Sequence, residues 1–360
     1  MISPLARRVA NHHKKIILSR TAFSSCIHTV SPSYTPQRAI PPSTVHSKQQ
    51  FNRRTPLLPY QTVRMGSNSA NKNFTRDHLF DCTGRVALVT GGGSGIGLMI
   101  TQALVANGAR VYITGRTGEK LDRVVENYAE GKDSIIPITA DITSKEEIKK
   151  LVKEIESREP KGLDILVNNA GISGNTFETE ASSATELKQN LFDNDSATFE
   201  DWTSVYQTNV AQLYFTTTAF LPLLQKSSES HQGWHSTVLN ITSISGLVKS
   251  AQHHFQYNAS KAAAQHLTRM LASEIAAGNG IKVRINSIAP GVFPSEMTTE
   301  GSGDDQKSFI PDEKYKGKIP AERPGRDEDM AQAALCAVCN QYMNGATLVV
   351  DGGYAVALGH

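Results

Sequence analysis

From residue 85 onward, short runs of β-branched and other apolar residues alternate with longer segments in which apolar residues recur at helical spacing. The first pattern predicts buried strands, and the second predicts helices that cover them. A helix predicted at Ile96–Asn107 ends before Gly108, a suitable C-terminal cap. Such βαβ alternation predicts one α/β domain over residues 77–360, with a doubly wound parallel sheet. We predict seven strands, at Arg85–Thr90, Arg110–Thr114, Ser134–Thr139, Asp164–Asn168, Ser236–Ile241, Lys282–Ile288 and Thr347–Val350.

One polar segment, from Gly174 to Ser196, interrupts this alternation. It predicts a surface insertion or a lid, because long connections that carry no strand are commonly functional loops. We expect this segment and residues Phe293–Ile310 to set the polarity of the substrate site.

The first 76 residues differ from the rest in composition. They carry 12 Lys or Arg and no Asp or Glu, and they show no sustained apolar period. We therefore predict a disordered leader at 1–76, whose first 30 residues resemble a mitochondrial transit peptide. The alternatives are a disordered tail without a targeting role, or a cytoplasmic form that starts at Met65.

Charge, hydropathy and cysteine content exclude several classes of protein. The chain has a net charge of +3, but residues 77–360 hold 25 basic and 34 acidic residues, so the folded part predicts no nucleic-acid partner. No apolar stretch is long enough to predict a membrane span. Four cysteines are too few for a secreted disulfide framework. Cys336 and Cys339 lie in the apolar run AALCAVC without a second ligand pair, which favours packing over a metal or redox site.

The first predicted strand runs directly into the glycine-rich turn Thr90–Gly97 and then into a helix. Backbone N–H groups at a helix N-terminus bind anions, and glycines allow phosphate oxygens to approach closely. The spacing, GxxxGxG, departs from the general dinucleotide fingerprint. Alone it is also typical of a flexible turn, but its place between strand and helix favours a pyrophosphate site.

The second predicted strand is followed by Gly115 and Arg116. At this point a fold that prefers NAD carries an Asp or Glu for the ribose 2′-hydroxyl. An arginine can pair instead with a 2′-phosphate, so we expect NADP(H) to be preferred over NAD(H). The alternative is a solvated arginine in a turn.

Tyr257 and Lys261 lie four residues apart in a segment of helical period and therefore share a helix face. An ammonium group beside a tyrosine favours the phenolate, so Tyr257 could exchange a proton with a carbonyl or alcohol oxygen. A lone tyrosine on a helix is more often a packing residue, and further motifs must support the chemical interpretation.

Those motifs are present, and the chain from about 84 to 353 resembles the short-chain dehydrogenase/reductase family, which has a Rossmann fold. The turn is similar to the family's TGxxxGxG, residues 168–171 match its NNAG, and Asp351-Gly352-Gly353 matches a C-terminal turn. The resemblance implies catalytic roles for four residues: Asn209, Ser243, Tyr257 and Lys261. It also implies a nicotinamide cofactor held by Gly91, Ser94, Gly95, Ile96, Gly97, Arg116, Asp141, Ile142, Asn169, Ala170, Gly171, Tyr257, Lys261, Pro290, Gly291, Val292 and Ser295.

In such an enzyme, Ser243 and Tyr257 bind the substrate oxygen, Lys261 holds the nicotinamide ribose and Asn209 holds a water for proton relay. Ser243 precedes Tyr257 by 14 residues, one more than is usual in the family, so Ser245 is an alternative. Thr298 is an alternative to Ser295 for the nicotinamide amide.

We therefore expect an oxidoreductase that reduces a ketone or a 3-oxoacyl or polyketide-type carbonyl. The alternatives are a polyol or sugar dehydrogenase, or a sensor that binds NADP(H) without turnover. His253 and His254 are expected to be surface-loop residues rather than pocket residues. The resemblance also implies a homodimer or a homotetramer.

Overall fold

A computed structural model describes residues 71–299 and 301–359 of the chain. Most of the predicted leader, with its targeting segment and Met65, lies outside the described residues. Residues 71–76 are exposed, and they form a 3₁₀ turn at Lys72–Phe74 and the start of helix α1, Arg76–Leu79.

Seven parallel strands form one sheet in the spatial order β3-β2-β1-β4-β5-β6-β7. The predicted fold class, a single doubly wound parallel sheet, is therefore confirmed. β1, β3, β4 and β6 each begin one residue later than predicted. Pairing of Gly115 with Thr139 extends β2 and pairing of Pro290 with Val350 extends β6. The strands are β1 Val86–Thr90, β2 Arg110–Gly115, β3 Ile135–Thr139, β4 Ile165–Asn168, β5 Ser236–Ile241, β6 Val283–Pro290 and β7 Thr347–Val350.

Both faces of the sheet are covered by helices, which explains why most strands are apolar at nearly every position. Alternate residues of β1 divide between two cores: Ala87 and Val89 pack on one face, and Leu88 on the other. Helices α2, α3 and α9 cover the first face, and α4, α7 and α8 cover the second. The helices after α1 are α2 Gly95–Ala106, α3 Gly118–Tyr128, α4 Lys145–Arg158, α5 Ala184–Leu191, α6 Phe199–Tyr206, α7 Gln212–Ser230, α8 Phe255–Ala272, α9 Asp327–Cys339 and α10 Tyr354–Leu358.

The strand order reverses at β1, which lies between β2 and β4. The chain fills one half of the sheet with β2 and β3 and then crosses back to build the other half from β4 onward. Ligands of doubly wound folds bind in the crevice beyond the carboxyl ends of the strands at such a reversal. This edge carries the glycine turn after β1 and the Asn-Asn-Ala-Gly segment after β4.

The predicted insertion at 174–196 contains α5, which has no buried residue and is capped by the Ser183 side chain. Its beginning is held against the loop that leads into α8, because the N–H of Phe177 donates to the carbonyl of His253 at 2.9 Å. A possible role in substrate binding remains a prediction. Within residues 71–299 and 301–359, none of the helices is long and apolar enough to cross a membrane.

Candidate active site

The glycine turn between β1 and α2 has a conformation that other residues rarely adopt. Gly91 and Gly95 have φ angles of 64° and 52°, in the left-handed region. A Cβ on Gly97 would lie 2.1 Å from the carbonyl oxygen of Gly91, so the helix and the turn approach too closely for any side chain. The first N–H groups of α2 have no acceptor within the helix and can bind an anion.

Asn169 braces this turn from the end of the neighbouring strand β4. Its Nδ2 donates to the carbonyl oxygens of Thr90 and Gly91, at 3.0 Å each. In return, Thr90 Oγ1 accepts the N–H of Asn169 at 3.0 Å. The ends of β1 and β4 are thus locked together beneath the turn.

A cleft of about 590 Å³ opens above these strand ends. Most of the residues predicted to hold a cofactor line it: Gly91, Ser94, Gly95, Ile96, Arg116, Asp141, Ile142, Asn169, Ala170, Gly171, Tyr257, Lys261 and Ser295.

Four of the predicted cofactor residues lie outside this cleft: Gly97, Pro290, Gly291 and Val292. Gly97 allows α2 to pack closely against the glycine turn. A Cβ on Gly291 would lie 2.7 Å from the Cα of Asp351, so this glycine serves the contact with the C-terminal turn. Val292 instead lines a separate pocket of about 260 Å³.

Arg116 and Asp141 mark the end of the cleft formed by β2 and β3. Asp141 Oδ1 accepts the Thr143 N–H at 2.9 Å and the Thr143 hydroxyl at 2.7 Å. These hydrogen bonds hold the pKa of Asp141 below its usual value, and the charge of the nearby Arg116 adds to the effect. Arg116 itself is exposed at the rim. Thr114, in the cleft wall, has a buried Oγ1 without a hydrogen-bond partner in the described part of the chain.

Tyr257 and Lys261 line the other end of the cleft, and Ser243 lies beside Tyr257. Ser243 follows β5 and is buried, and its side chain lies close enough to Tyr257 to lower the pKa of the phenol. Lys261, one turn further along α8, is 4% exposed and donates from Nζ to the carbonyl of Ile241 at 3.0 Å. Its Nζ lies 5.6 Å from the centroid of the Tyr257 ring. The helix face predicted from the sequence therefore carries Tyr257 and Lys261, and the fold adds the Ser243 hydroxyl beside them.

The sequence predicts that the charge of Lys261 favours the Tyr257 phenolate, but burial has the larger effect on the pKa of Tyr257. Burial raises the pKa of Tyr257, and the hydrogen bond with Ser243 acts in the opposite direction. Burial also lowers the pKa of Lys261 to about 8, because the charged form is poorly solvated. Tyr257 is thus a proton donor at neutral pH, with Lys261 still protonated beside it.

Asn209 lies in a π-helical turn, Gln207–Ala211, between α6 and α7. Its Oδ1 accepts the N–H of Ile172 and its Nδ2 donates to the carbonyl of the same residue, both at 2.9 Å. Nδ2 also donates to Ser260 Oγ at 3.0 Å. Asn209 therefore joins the segment after β4 to helix α8 behind the site, which a local pattern in the sequence could not show.

The structure separates the alternatives for the two hydroxyl positions. The Ser245 N–H donates to Ser243 Oγ at 3.1 Å, and it is Ser243 that contacts Tyr257. Ser295 lines the cleft, whereas Thr298 Oγ1 is occupied within its own loop, accepting from the Ser295 N–H at 2.9 Å and donating to the Phe293 carbonyl at 2.8 Å.

The two histidines expected on the surface behave differently from one another. His253 is exposed, as expected. His254 is half-buried, and its ring lies edge-on to that of Tyr257 at 6.2 Å between centroids. His254 therefore packs against Tyr257, but it does not line the cleft.

Lys120 and Glu296 also line the cleft, although their sequence positions gave no signal for a site. Lys120 Nζ lies 2.6 Å from Glu296 Oε1, and Ser302 Oγ donates to the same oxygen at 3.1 Å. These bonds hold the pKa of Glu296 below its usual value. The pair joins residues 176 positions apart, so only the folded chain brings them together.

Comparison with known proteins agrees with this geometry. The family model for short chain dehydrogenase matches residues 85–306. Short-chain dehydrogenase/reductase PhomF of Diaporthe leptostromiformis is 37% identical over 292 residues, covering 80% of this chain and 97% of that protein. A rhamnolipids biosynthesis 3-oxoacyl-[acyl-carrier-protein] reductase of Pseudomonas aeruginosa is 36% identical over 279 residues, covering 76% of this chain and 98% of that protein.

Among solved structures, the Pseudomonas aeruginosa RhlG/NADP active-site complex superposes with a TM-score of 0.61 at 32% identity, covering 77% of this chain and 98% of that one. Family match, fold and site geometry agree. This chain belongs to the short-chain dehydrogenase family, and it is an oxidoreductase that binds a nicotinamide cofactor and acts on alcohol or carbonyl groups.

Proposed function

We propose that the chain is an NADP(H)-dependent reductase of a ketone or of a 3-oxoacyl or polyketide-type carbonyl. One observation carries the proposal: Tyr257, beside Ser243 and next to the buried Lys261, stands in a cleft whose opposite rim carries Arg116. The first group suits a carbonyl oxygen, and the second suits a phosphate.

The residues of the cleft fit a dinucleotide. The turn requires glycine at position 95, because its φ is left-handed and a Cβ there would lie 2.8 Å from the Cβ of Ser295, which itself lines the cleft. The N–H groups at the start of α2 suit a pyrophosphate. The unpartnered hydroxyl of Thr114 offers a further polar contact in the wall.

The preference for NADP(H) rests on the end of β2. No carboxylate stands directly after Gly115, and Arg116 is exposed at the rim with its guanidinium available to a 2′-phosphate. Asp141, whose pKa the charge of Arg116 lowers, is held by hydrogen bonds from Thr143. The similarity to RhlG in its NADP complex supports this preference.

When bound, the nicotinamide ring supplies or accepts the hydride that reduction or oxidation requires. Ser243 and Tyr257 then hydrogen-bond the substrate oxygen where negative charge develops. Tyr257 donates its proton to that oxygen, which is reasonable because burial keeps its hydroxyl protonated. The ammonium of Lys261 favours the phenolate left behind. Asn209 keeps the backbone at Ile172 and helix α8 in fixed positions around this group.

The relatives and the direction of the reaction both support a carbonyl substrate. The Pseudomonas aeruginosa relative is named a 3-oxoacyl-[acyl-carrier-protein] reductase. A cofactor that carries a 2′-phosphate suits reduction, which makes the carbonyl the physiological substrate in this proposal. A polyol dehydrogenase is the competing function, and it requires oxidation of an alcohol with NADP⁺.

The test is consumption of NADPH, compared with NADH, by the purified chain with a panel of simple ketones and 3-oxoacyl thioesters. We expect NADPH to be consumed with a thioester or ketone and NADH to be consumed far more slowly. Oxidation of polyols with NADP⁺ and no reduction of any carbonyl would favour the competing function. Binding of NADPH without turnover in either direction would favour a sensor.

We further propose delivery to mitochondria and assembly into a homodimer or homotetramer, as the composition of the leader and the family resemblance imply. Fusing a fluorescent protein after residue 360 in the full chain, and in a form that starts at Met65, tests delivery. Mitochondrial signal from only the full chain is expected. Light scattering of the purified protein measures the assembly.

A further inference from the structure

Two cysteines that are 257 positions apart meet at the edge of the sheet opposite the cleft. Cys82 lies in the turn before β1, and Cys339 is the last residue of α9. Their Sγ atoms are 3.8 Å apart. Both are free thiols, and the partner of Cys339 is Cys82 rather than Cys336 of the CxxC pattern. The sequence interpretation of the CxxC as packing residues therefore missed the pairing that the fold creates.

The two thiols occupy different environments. Cys82 is fully buried, whereas Cys339 is half-buried and reaches solvent at the helix end. The hydrogen bond from Cys82 holds the pKa of Cys339 below its usual value, and the same bond together with burial raises the pKa of Cys82. Cys339 is thus the thiol that ionises first, and the buried Cys82 lies next to it.

Cationic groups surround Cys339 as well. Arg284 of β6 is buried and donates from Nη1 to the carbonyl of Ala337 at 3.1 Å and from Nη2 to that of Val338 at 2.6 Å. Its Nε has no hydrogen-bond partner in the described part of the chain. The charges of Arg284 and Arg85 favour the Cys339 thiolate, while burial and the charge of Asp81 act in the opposite direction. Reactive cysteines are found in such electropositive, partly exposed places, often beside a second thiol.

We propose that Cys82 and Cys339 form a reversible disulfide by exchange with a small-molecule disulfide such as oxidised glutathione. The Cys339 thiolate attacks one sulfur of the small disulfide, whose S–S bond breaks and releases one thiolate. Cys82 then attacks Cys339 Sγ in the mixed disulfide, and its proton passes to the second thiolate, which this attack releases. Two protein thiols are oxidised, and one small disulfide is reduced to two thiols.

The geometry needs only a small adjustment to close this bond. The Sγ atoms must approach from 3.8 Å to the ~2.05 Å of a disulfide. Cys82 is held in its turn, because its N–H donates to the Asn107 carbonyl at 2.9 Å and its carbonyl accepts from the Arg85 N–H at 3.0 Å. Cys339 is at a helix end, where the backbone moves most easily.

The bond would join the beginning of β1 to the end of α9, far along the strands from the glycine turn at the other end of β1. It would leave the cleft unchanged and restrict the unfolded chain, because it closes a loop of 257 positions. The expected consequence is a higher melting temperature with unchanged binding of NADPH.

The test exposes the full-length chain and the variants C336S, C82S and C339S to oxidised glutathione. Peptide mapping by mass spectrometry without reductant identifies the bonds formed. We expect a peptide linking Cys82 to Cys339 in the native chain and in the matched control C336S, and a melting temperature that rises by several degrees and falls again with dithiothreitol. C82S should accumulate glutathione on Cys339, and C339S should form no bond at Cys82.

Three results would overturn the proposal. The first is glutathione that persists on Cys339 of the native chain, which would show that Cys82 cannot displace it. The second is a link that uses Cys26 or Cys336 in place of this pair. The third is the absence of any thiol loss in the folded native chain under conditions that oxidise the same chain in denaturant.

Discussion

Lys120 and Glu296 close one side of the cofactor cleft, with 2.6 Å between Nζ and Oε1. Lys120 belongs to α3, and Glu296 belongs to the loop after β6, so the ion pair joins the two halves of the sheet across the cleft. The Ser94 side chain, at the N-cap of α2, lies near the Glu296 carboxylate and lowers its pKa. A carboxylate of the protein itself thus stands near the helix N-terminus that is proposed to bind the cofactor's phosphates.

Glu296→Gln should therefore strengthen the binding of NADPH. The substitution removes a negative charge close to the phosphate site and leaves Lys120 free to attract a phosphate, so we expect the Kd to fall about threefold to tenfold. Quenching of intrinsic fluorescence by NADPH measures the Kd without turnover. The stability should change little, because both side chains are more than a third exposed.

Lys120→Met is the matched control for this pair. It breaks the same ion pair but removes a positive charge, so it should weaken NADPH binding. If both variants weakened binding to a similar extent, the pair would act by holding the loop in place. The idea that the Glu296 carboxylate repels the cofactor's phosphates would then be wrong.

Arg116→Glu should reverse the cofactor preference. A carboxylate after β2 repels a 2′-phosphate and can accept hydrogen bonds from a ribose 2′-hydroxyl. We expect NADPH affinity to fall by about tenfold to a hundredfold, with NADH affinity unchanged or improved. Titration calorimetry with both cofactors checks this. Arg123→Glu, an exposed position on α3, introduces the same charge change away from the cleft and should preserve the preference.

The fold could be predicted because a local sequence pattern marks each of its strands. Each strand is a short apolar run such as Val86–Thr90, and burial on both faces demands that pattern wherever it occurs in a parallel sheet. The YxxxK spacing likewise placed Tyr257 and Lys261 on one helix face. The small errors at strand ends arise because pairing, as between Pro290 and Val350, depends on the neighbouring strand.

The rest of the site depends on contacts between distant segments. Lys120 meets Glu296 only because α3 and the loop after β6 border the same cleft. The pKa of Tyr257 follows from burial, which the four-residue spacing to Lys261 cannot report. Gly291 and Val292 are assigned to the family's cofactor loop by order alone, which cannot report the close approach of Gly291 to Asp351 or the separate pocket that Val292 lines.

Gly97→Ala should destabilise the fold, although alanine is ordinarily favoured over glycine in a helix. Its Cβ would stand 2.1 Å from the Gly91 carbonyl oxygen, and backbone atoms cannot move aside cheaply. We expect the free energy of unfolding to fall by about 3 kcal/mol. Gly93→Ala is the control, because its Cβ would meet the flexible Leu121 side chain at 3.3 Å and Lys120 Cβ at an ordinary 3.7 Å. Urea denaturation compares the two, and equal stability would contradict the packing argument.

Tyr257→Phe should abolish turnover in both directions while NADPH binding persists. The phenyl ring preserves the packing against His254 but removes the proton donor, so the loss should appear in kcat. Stopped-flow absorbance follows NADPH, and fluorescence quenching reports binding. Tyr342→Phe, at a fully exposed tyrosine, serves as the control and should leave both unchanged. Substantial turnover by Tyr257→Phe would remove this residue from its proposed role.

The pH dependence of reduction should identify Lys261 rather than Tyr257 as the group that limits activity in mild alkali. Burial lowers the pKa of Lys261 to about 8 and raises that of Tyr257, so as pH rises the ammonium is lost before the phenol is ionised. Reduction needs the ammonium to favour the phenolate. We therefore expect kcat/KM, which reports the free enzyme, to fall as pH rises through about 8. Measuring kcat/KM for NADPH-dependent reduction from about pH 6 to about pH 10 checks this. If kcat/KM stayed constant as the pH approached the usual pKa of lysine, about 10.4, Lys261 would remain fully charged in the site.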